Sequence, residues 1–477
     1  MSPTGILLIH SDQHRFDCLG VNGHPIVKTP NLDRLAAQGT NFTGAYTPNP
    51  LCTPARNSLL LGQWSFQHGV LANPETEIRF GPSPDAPSFS RLLADRGWYL
   101  GYVGKWHVSN ERTPLDPQFG FCDYVPEGEY ERWRAENGIP PSRDSVVPSS
   151  VNGPVPASQR FLKAFQGMVD TSIGADQSKL AWGADRTIEL LERANGRSFF
   201  IRWDPLEPHL PNIVPEPYAS MYPPSRIPPW PSFGDPLVGK PYAQRQQLRT
   251  WNVESWTWDD WSAVVGRYLG EITLLDHEVG RLLDALERSG RAEDTLVVYT
   301  TDHGDMCGSH GMWDKHFVMY DDVVRDPLIM RWPGRIAPGG TCDHFVSHAI
   351  DLARTFCGVG GIDPPDSFAG LDLVEVLGAT SSPRPDIISA YHGNQFGLYS
   401  QRMLRDRRWK YVWNLTAEDE LYDLDSDPAE IVNLATDPAC VSQLKRLRLR
   451  LLAWLQQEGD PLASWAGLVQ LGEGLKQ

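Results

Sequence analysis

The sequence predicts an α/β protein: a large, mostly parallel sheet sandwiched by helices, with a smaller C-terminal α+β subdomain. Three observations carry this. Short apolar runs alternate with segments of helical spacing through most of the chain. Two of those runs end on acidic pairs, Asp12-Gln13 and Asp302-His303, where the site of an open α/β sheet lies. From about residue 380 the alternation gives way to closely spaced strand-like runs and one leucine-rich helix. At 477 residues the chain exceeds one ordinary hydrophobic core, so a catalytic unit over 1–375 and a second unit over 376–477 are expected.

The first strand is "ILLIH" (6–10). "TPNLDRLAAQG" (29–39) follows as a helix with Pro30 at its start and Gly39 at its stop. "FSRLLADRG" (89–97) reads as helix before the strand "YLGYVGKW", and "ADRTIELLERANG" (184–196) as helix before "SFFIRWD". A longer helix, 268–290, has apolar residues at 272, 275, 279, 282, 283 and 286, and precedes "TLVVYTTDHGD". Residues 125–180 and 205–260, rich in Pro, Ser and Trp, read as ordered excursions above the sheet. Their tryptophans suit core capping, stacking against a sugar or aromatic group, or a homo-oligomer contact. Beyond 380, "DIISAYH", "RMLRDRRWKYVWNL" and "ELYDL" read as antiparallel strands, and 441–457 as a helix.

A formal charge of −16 excludes a nucleic-acid or anionic-membrane partner, so any bound anion must meet a local cluster of cations. No apolar run approaches the roughly 20 residues of a membrane span. "GILLIHSD" begins at Gly5 with no basic stretch or cleavage site before it, which predicts a cytoplasmic location. Seven scattered cysteines suggest neither a disulfide framework nor a zinc knuckle.

One cysteine stands apart. In "NPLCTPARNSLLLGQ" (49–63), Cys52 opens a helix that runs to Gly62, and Arg56 returns to the same face one turn later. A cation and unpaired helix N–H groups near a sulfur make an anion site with a nucleophile at its centre. Taken alone, a buried structural thiol is the commoner role for such a residue. Asp12, Gln13, Asp302 and His303 supply two carboxylates, a carboxamide oxygen and an imidazole, a donor set for a divalent cation. Each pair is a weak signal alone, since Asp and His are common after strands.

Cys-x-Pro-x-Arg, here "CTPARNSLLLG", resembles the signature of type I (formylglycine-dependent) sulfatases in the alkaline phosphatase superfamily. "SDQHRFDCLGVNGH", "TPNLDRLAAQGTNF", "GYVGKWHV", "EPHLPNIVPEPY", "TDHGDMCGSHGMWDKHFVMYDD" and "ELYDLDSDPAEIVNLA" resemble that family's successive blocks in its own order. The resemblance implies a sulfuric ester hydrolase whose Cys52 a formylglycine-generating enzyme oxidises to formylglycine, the hydrated aldehyde acting as nucleophile. It implies one divalent metal held by Asp12, Gln13, Asp302, His303 and residue 52, with calcium the first choice and manganese the alternative. Arg56, Lys105 and Lys315 would neutralise the transferring group, His209 would protonate the leaving alcohol with Lys315, and His107 would take the proton that releases sulfate. His68, His310 and His316 are left as structural.

The chain departs from the pattern of many sulfatases, which have two aspartates after the first strand and Asp-Asn after the later one. Asp12-Gln13 and Asp302-His303 make a less negative site and resemble the relatives that hydrolyse phosphonate monoesters and phosphodiesters. The Lys105-x-His107 pair resembles sulfatases instead. The sequence therefore supports a hydrolase of small anionic organic or carbohydrate sulfate esters, with a phosphonate monoester or phosphodiester hydrolase as the alternative. A catalytically dead anion-binding module is disfavoured because each functional position holds a competent residue.

Overall fold

A computed structural model describes residues 4–73, 81–141, 146–148, 168–194, 196–393 and 397–475. The large unit contains, in chain order, β1 (Gly5–Ser11), α1 (Pro30–Ala37), β2 (Thr40–Phe42), α2 (Cys52–Leu61), α3 (Phe89–Asp95), β3 (Tyr99–Gly104), β4 (Asp123–Pro126), α4 (Lys179–Arg193), β5 (Phe199–Asp204), α5 (Tyr242–Trp251), α6 (Trp258–Arg288), β6 (Thr295–Thr301), β7 (Leu328–Arg331), β8 (Gly340–Cys342) and α7 (His348–Val359). Its strands form one eight-stranded sheet in the order β8-β2-β7-β6-β1-β5-β3-β4. All pairs are parallel except those of β7 with β6 and with β2.

The sheet is covered on both faces, which is why its central strands are apolar without interruption. Along β1, Ile6 and Leu8 join the core beneath α2, α3 and α7, while Leu7 and Ile9 join the core beneath α1, α4 and α6. Register positions the site. Ser11 pairs with Thr301, and Gly104 with Asp204, while Ile9 pairs with Trp203, so four adjacent strands β6-β1-β5-β3 end at one level.

The C-terminal part is an antiparallel sheet of β9 (Ile387–Gly393), β10 (Tyr399–Arg405), β11 (Trp409–Asn414) and β12 (Glu420–Asp423), followed by α8 (Val441–Glu458). Alternation divides its side chains. Ile388, Leu404 and Tyr411 face Leu447 and Leu451 of α8, whereas Ile387, Met403 and Val412 face Phe317, Met319 and Tyr46 of the large unit.

Two elements differ from the sequence reading. The helix read from 268 begins at Trp258, ten residues earlier, because Thr257 and Asp260 form a capping box, Asp260 Oδ2 accepting from Thr257 N at 2.8 Å. The helix read from 184 begins at Lys179, where the Ser178 hydroxyl accepts from Ala181 N. The stretches read as irregular excursions are thus partly helical, with α5, the start of α6 and a short helix over Glu129–Glu136 inside them. Residues 142–145 and 149–167 of the first stretch lie outside the described residues. Trp251, Trp256 and Trp261 pack with Trp313 in one aromatic cluster, the core-capping alternative. No helix among the described residues is long and apolar enough to cross a membrane.

Leu451 is fully buried between α8 and the small sheet. Leu451→Ala is expected to cost about 2–5 kcal/mol, the transfer term plus the cavity left behind. A calorimetric scan with an unmoved unfolding midpoint would contradict this packing.

Candidate active site

The level strand ends put Asp12 after β1, Asp302 after β6, Asp204 as the last residue of β5 and Lys105 directly after β3. All are buried. The chain leaves β1 through Gln13, whose φ of 68° lies in the left-handed region that a residue with a Cβ seldom adopts. Its N–H donates to Asp302 Oδ1 at 3.2 Å and its carbonyl accepts from the Tyr268 hydroxyl at 2.8 Å. Those bonds hold a conformation that costs on the order of 1–3 kcal/mol.

The helix α2 delivers Cys52 and Arg56 together. Leu51 is extended, Cys52 is the first helical residue, and Gly62 closes the helix in the left-handed region. The Cys52 sulfur lies 3.2 Å from His303 Nε2 and 3.9 Å from Asp12 Oδ1. Donor atoms of Asp12, Cys52, Asp302 and His303 all lie within 4.8 Å of one another. His303 Nδ1 donates to Gly304 O at 2.9 Å, which leaves the Nε2 lone pair facing the cluster in the neutral ring. Two carboxylates and an imidazole so oriented fit a divalent cation such as Ca2+ or Mn2+.

Arg56 is the cation that makes the carboxylates compatible. Its Nε donates to Asp302 at 3.0 Å, Nη2 to Asp12 at 2.7 Å and Nη1 to Asp204 at 2.6 Å, with every side chain in the knot out of solvent. Lys105 Nζ adds a second contact to Asp12 at 2.7 Å. Burial and the neighbouring sulfur push the Asp12 carboxyl up, but Lys105, His209 and Arg56 prevail and hold it well below the usual range. Asp302 is instead raised, by burial and by Asp12. Burial opposes ionisation of Cys52, yet Lys105, Lys315, His303 and a hydrogen bond from His107 outweigh it and hold the thiol well below its ordinary value. Without a cation, the same negative cluster holds His303 at about 9 against burial, so a metal bound at Nε2 would displace that proton.

Lys315 comes from the loop after β6. Its Nζ contacts Gln13 Oε1 at 2.9 Å, His209 Nε2 at 3.1 Å and Asp314 Oδ1 at 3.1 Å. Gln13 is therefore brought to the site with its carboxamide oxygen on Lys315, while its Nε2 donates to Asp305 and to Asp314. His209 Nδ1 donates to Leu210 O, so its Nε2 accepts from Lys315. All ten residues singled out for chemistry thus converge here. Of the three histidines left as structural, His316 Nε2 lies 3.0 Å from Asp314 Oδ2, His310 Nδ1 lies 2.6 Å from Asp235 Oδ2, and His68 Nε2 meets the Ser58 hydroxyl.

Sequence reasoning missed three buried aspartates. Asp204 and Asp314 compensate Arg56 and Lys315, and Asp305 accepts from Gln13 Nε2, so the expectation of a carboxylate-poor site is amended. Asp204 carried the same signal as Asp12 and Asp302, an acid at the end of an apolar run. Asp305 and Asp314, in a loop, carried none.

Comparison with known proteins follows from this geometry. The Sulfatase family model matches residues 4–362, and a model described as N-sulphoglucosamine sulphohydrolase, C-terminal, matches residues 308–457. The chain is 28% identical to an arylsulfatase of Clostridium perfringens, over 94% of each chain. It is 24% identical to an N-acetylglucosamine-6-O-sulfatase of Bacteroides thetaiotaomicron, over 90% of this chain and 82% of that one. A crystal structure of a phosphonate monoester hydrolase of Agrobacterium radiobacter superposes with a TM-score of 0.80 at 27% identity, covering 95% of this chain and 96% of that one.

Removing Arg56 leaves three buried carboxylates without their guanidinium. Arg56→Met is expected to destabilise the protein by about 3–5 kcal/mol, as for other broken buried pairs, read as a fall in the unfolding midpoint. His14 gives a pH prediction. It is fully buried and neutral at neutral pH, its Nε2 donating to Cys18 O, and burial lowers its pKa to about 4. The unfolded chain binds a proton there from about pH 6.5 downward, and the folded chain only below about pH 4. Stability is therefore full above pH 6.5 and falls by about 3 kcal/mol in total as pH drops through that window. His14→Gln should flatten this part of the curve, and an identical slope in wild type and variant would remove the assignment.

Proposed function

The chain belongs to the sulfatase family of the alkaline phosphatase superfamily, whose members hydrolyse sulfuric esters, and from that premise we propose that it cleaves the sulfate ester of a small organic or carbohydrate alcohol. The observation that carries this is the convergence of Lys105, His107 and Lys315 on residue 52, beside donor atoms of Asp12, Asp302 and His303. In this reading Cys52 is oxidised to formylglycine by a formylglycine-generating enzyme, and its hydrate supplies the nucleophilic hydroxyl. The cation, calcium by preference and manganese as the alternative, would be held by Asp12, Asp302, His303 and residue 52, with Gln13 at its margin, and would lower the pKa of that hydroxyl and polarise the transferring group.

The chain's own residues do the rest. Lys105, at Asp12, and Lys315, at Gln13, both bring positive charge to residue 52, where the non-bridging oxygens of the ester would lie, and Arg56 holds the carboxylates around them. Lys315, whose proton is held firmly by Asp314 and the other anions of the site despite burial, donates to His209 Nε2. That pair is the proton source for the departing alcohol oxygen. His107, hydrogen-bonded to residue 52, is placed to take a proton from it.

A phosphonate monoester or phosphodiester hydrolase is the second reading. Gln13 and His303 favour it, as does the likeness to the Agrobacterium radiobacter enzyme. The N-acetylglucosamine-6-O-sulfatase relative favours a sugar sulfate. The reading also includes a division into units at 1–375 and 376–477, and a cytoplasmic location, where seven free thiols are stable.

The test uses protein made with the converting enzyme. 4-Nitrophenyl sulfate should be turned over faster than methyl 4-nitrophenyl phosphate, and the reverse order would move the assignment to the second reading. Cys52→Ala and Asp302→Ala should each lower kcat/KM by at least about a thousandfold with the unfolding transition retained. Chelation should abolish turnover, and Ca2+ or Mn2+ should restore it. Mass spectrometry showing an unmodified Cys52 peptide, together with no turnover, would leave an anion-binding module.

A further inference from the structure

Beside His209 lies a cavity of about 220 Å3 that the chemistry above does not use. The loop after β5 forms its inner wall with Glu207 and His209, and this loop is tied to the site because Asp12 N donates to Glu207 O at 3.4 Å. His209, the proton donor in the reading above, is thus one of the residues that line it.

Its charge is unusual for a protein that binds anions. Four carboxyl groups, Glu131, Asp170, Glu207 and Glu271, line it against two cations, Arg134 and Lys179. Both cations are committed, Arg134 to Asp170 at 2.7 Å and Lys179 to Glu207 Oε1 at 3.3 Å. Glu271 accepts from Asn212 Nδ2 at 2.7 Å, and burial together with Glu207 raises its pKa well above the ordinary value. Glu207 Oε2 is buried and has no hydrogen-bond partner among the described residues. A buried acceptor of this kind calls for a donor, which a bound hydroxyl can supply. Tyr130 and Leu274 give the same cavity apolar surface of the kind that packs on ring C–H groups.

We propose, on the footing of the reading above, that this cavity is the subsite for the alcohol part of the substrate and that it takes a hydroxylated sugar or polyol carrying no second anionic group. A hydroxyl donates to Glu207 Oε2. A further sulfate or carboxylate would instead be desolvated among carboxyl groups whose cations are already paired.

The experiment measures kcat/KM for glucose 3-sulfate and for its partner bearing a carboxylate, glucuronic acid 3-sulfate, and for the corresponding methyl phosphodiesters. The faster ester series tests the reading of the chemistry. The ratio of neutral to acidic alcohol within that series tests the subsite. Wild type should favour the neutral alcohol by about tenfold or more, and Glu207→Gln, with its unfolding transition retained, should narrow that ratio by about threefold or more. Equal rates for the two alcohols, a preference for the acid, turnover of neither, or a ratio unmoved in Glu207→Gln each overturns the subsite. A switch of the faster series from sulfate to phosphodiester with the ratio intact overturns only the reading of the ester.

Discussion

The structure depends on one guanidinium. Three aspartates end up within reach of one another, out of water, because three neighbouring parallel strands finish at the same level. Carboxylates so placed repel strongly in a medium of low polarity, and each loses several kcal/mol of hydration. A lysine would offer a point charge to one or two of them. Arg56 presents three separate N–H donors in a fixed plane, one to each carboxylate, and so converts a repulsive cluster into a rigid frame. The frame needs α2 to begin where it does. Cys52 and Arg56 are one turn apart, so the residue that anchors the carboxylates also fixes the position of the sulfur against His303. Anchor and reactive atom are one helical unit.

The small C-terminal sheet serves the same geometry from the other side. Lys315 sits in a loop that has no regular structure of its own, and a long cation on a loop is a poor positioning device. Phe317 and Met319, two and four residues on, are buried against the face of that sheet carrying Met403 and Val412, and Tyr391 approaches His316 at 3.5 Å. On the far side, α8 fixes the sheet through its leucines. A chain of apolar packing thus runs from the last helix to the lysine that meets Gln13 and His209, and the second unit is a wall of the site.

How much of this could be read from residues alone follows from which interactions are local. The aspartates ending "ILLIHS" and "LVVYTT" were legible because strand ends are marked by the stop of an apolar run, and Asp204, ending "FFIRWD", bore the same mark. The Cys52 helix was legible from Pro54, Gly62 and the spacing to Arg56. Asp305 and Asp314 were not, since nothing local distinguishes a loop aspartate that meets a lysine or an amide brought from elsewhere in the fold. The first ten residues of α6 were hidden by a tryptophan-rich stretch without helical periodicity, although Thr257 and Asp260 carried a capping signal. Composition left core capping, ligand stacking and an oligomer contact open, and three of those tryptophans with Trp313 form a packed cluster. Local pattern thus reveals where the chain stops and turns, and tertiary contact decides which charges meet.

The proposed chemistry also explains why the two substrate readings lie so close. A sulfate monoester, a phosphonate monoester and a phosphodiester are all tetrahedral and all carry a single negative charge near neutral pH. A site built from a balance of buried charges weighs that charge and shape far more than the central atom. What differs is the third non-leaving position: a bare oxygen in the sulfate, a carbon or an alkoxy group in the others. A bare oxygen rewards a cation there, and an alkyl group would be desolvated against it without return. Lys105, held 2.7 Å from Asp12, and Lys315, held at Gln13, both bring positive charge to residue 52. Two lysines and a metal suit three bare oxygens, one each, which is the arrangement a sulfate presents. Selection between alcohols then has to come from outside this charge balance, in the proposed reading from the surroundings of His209.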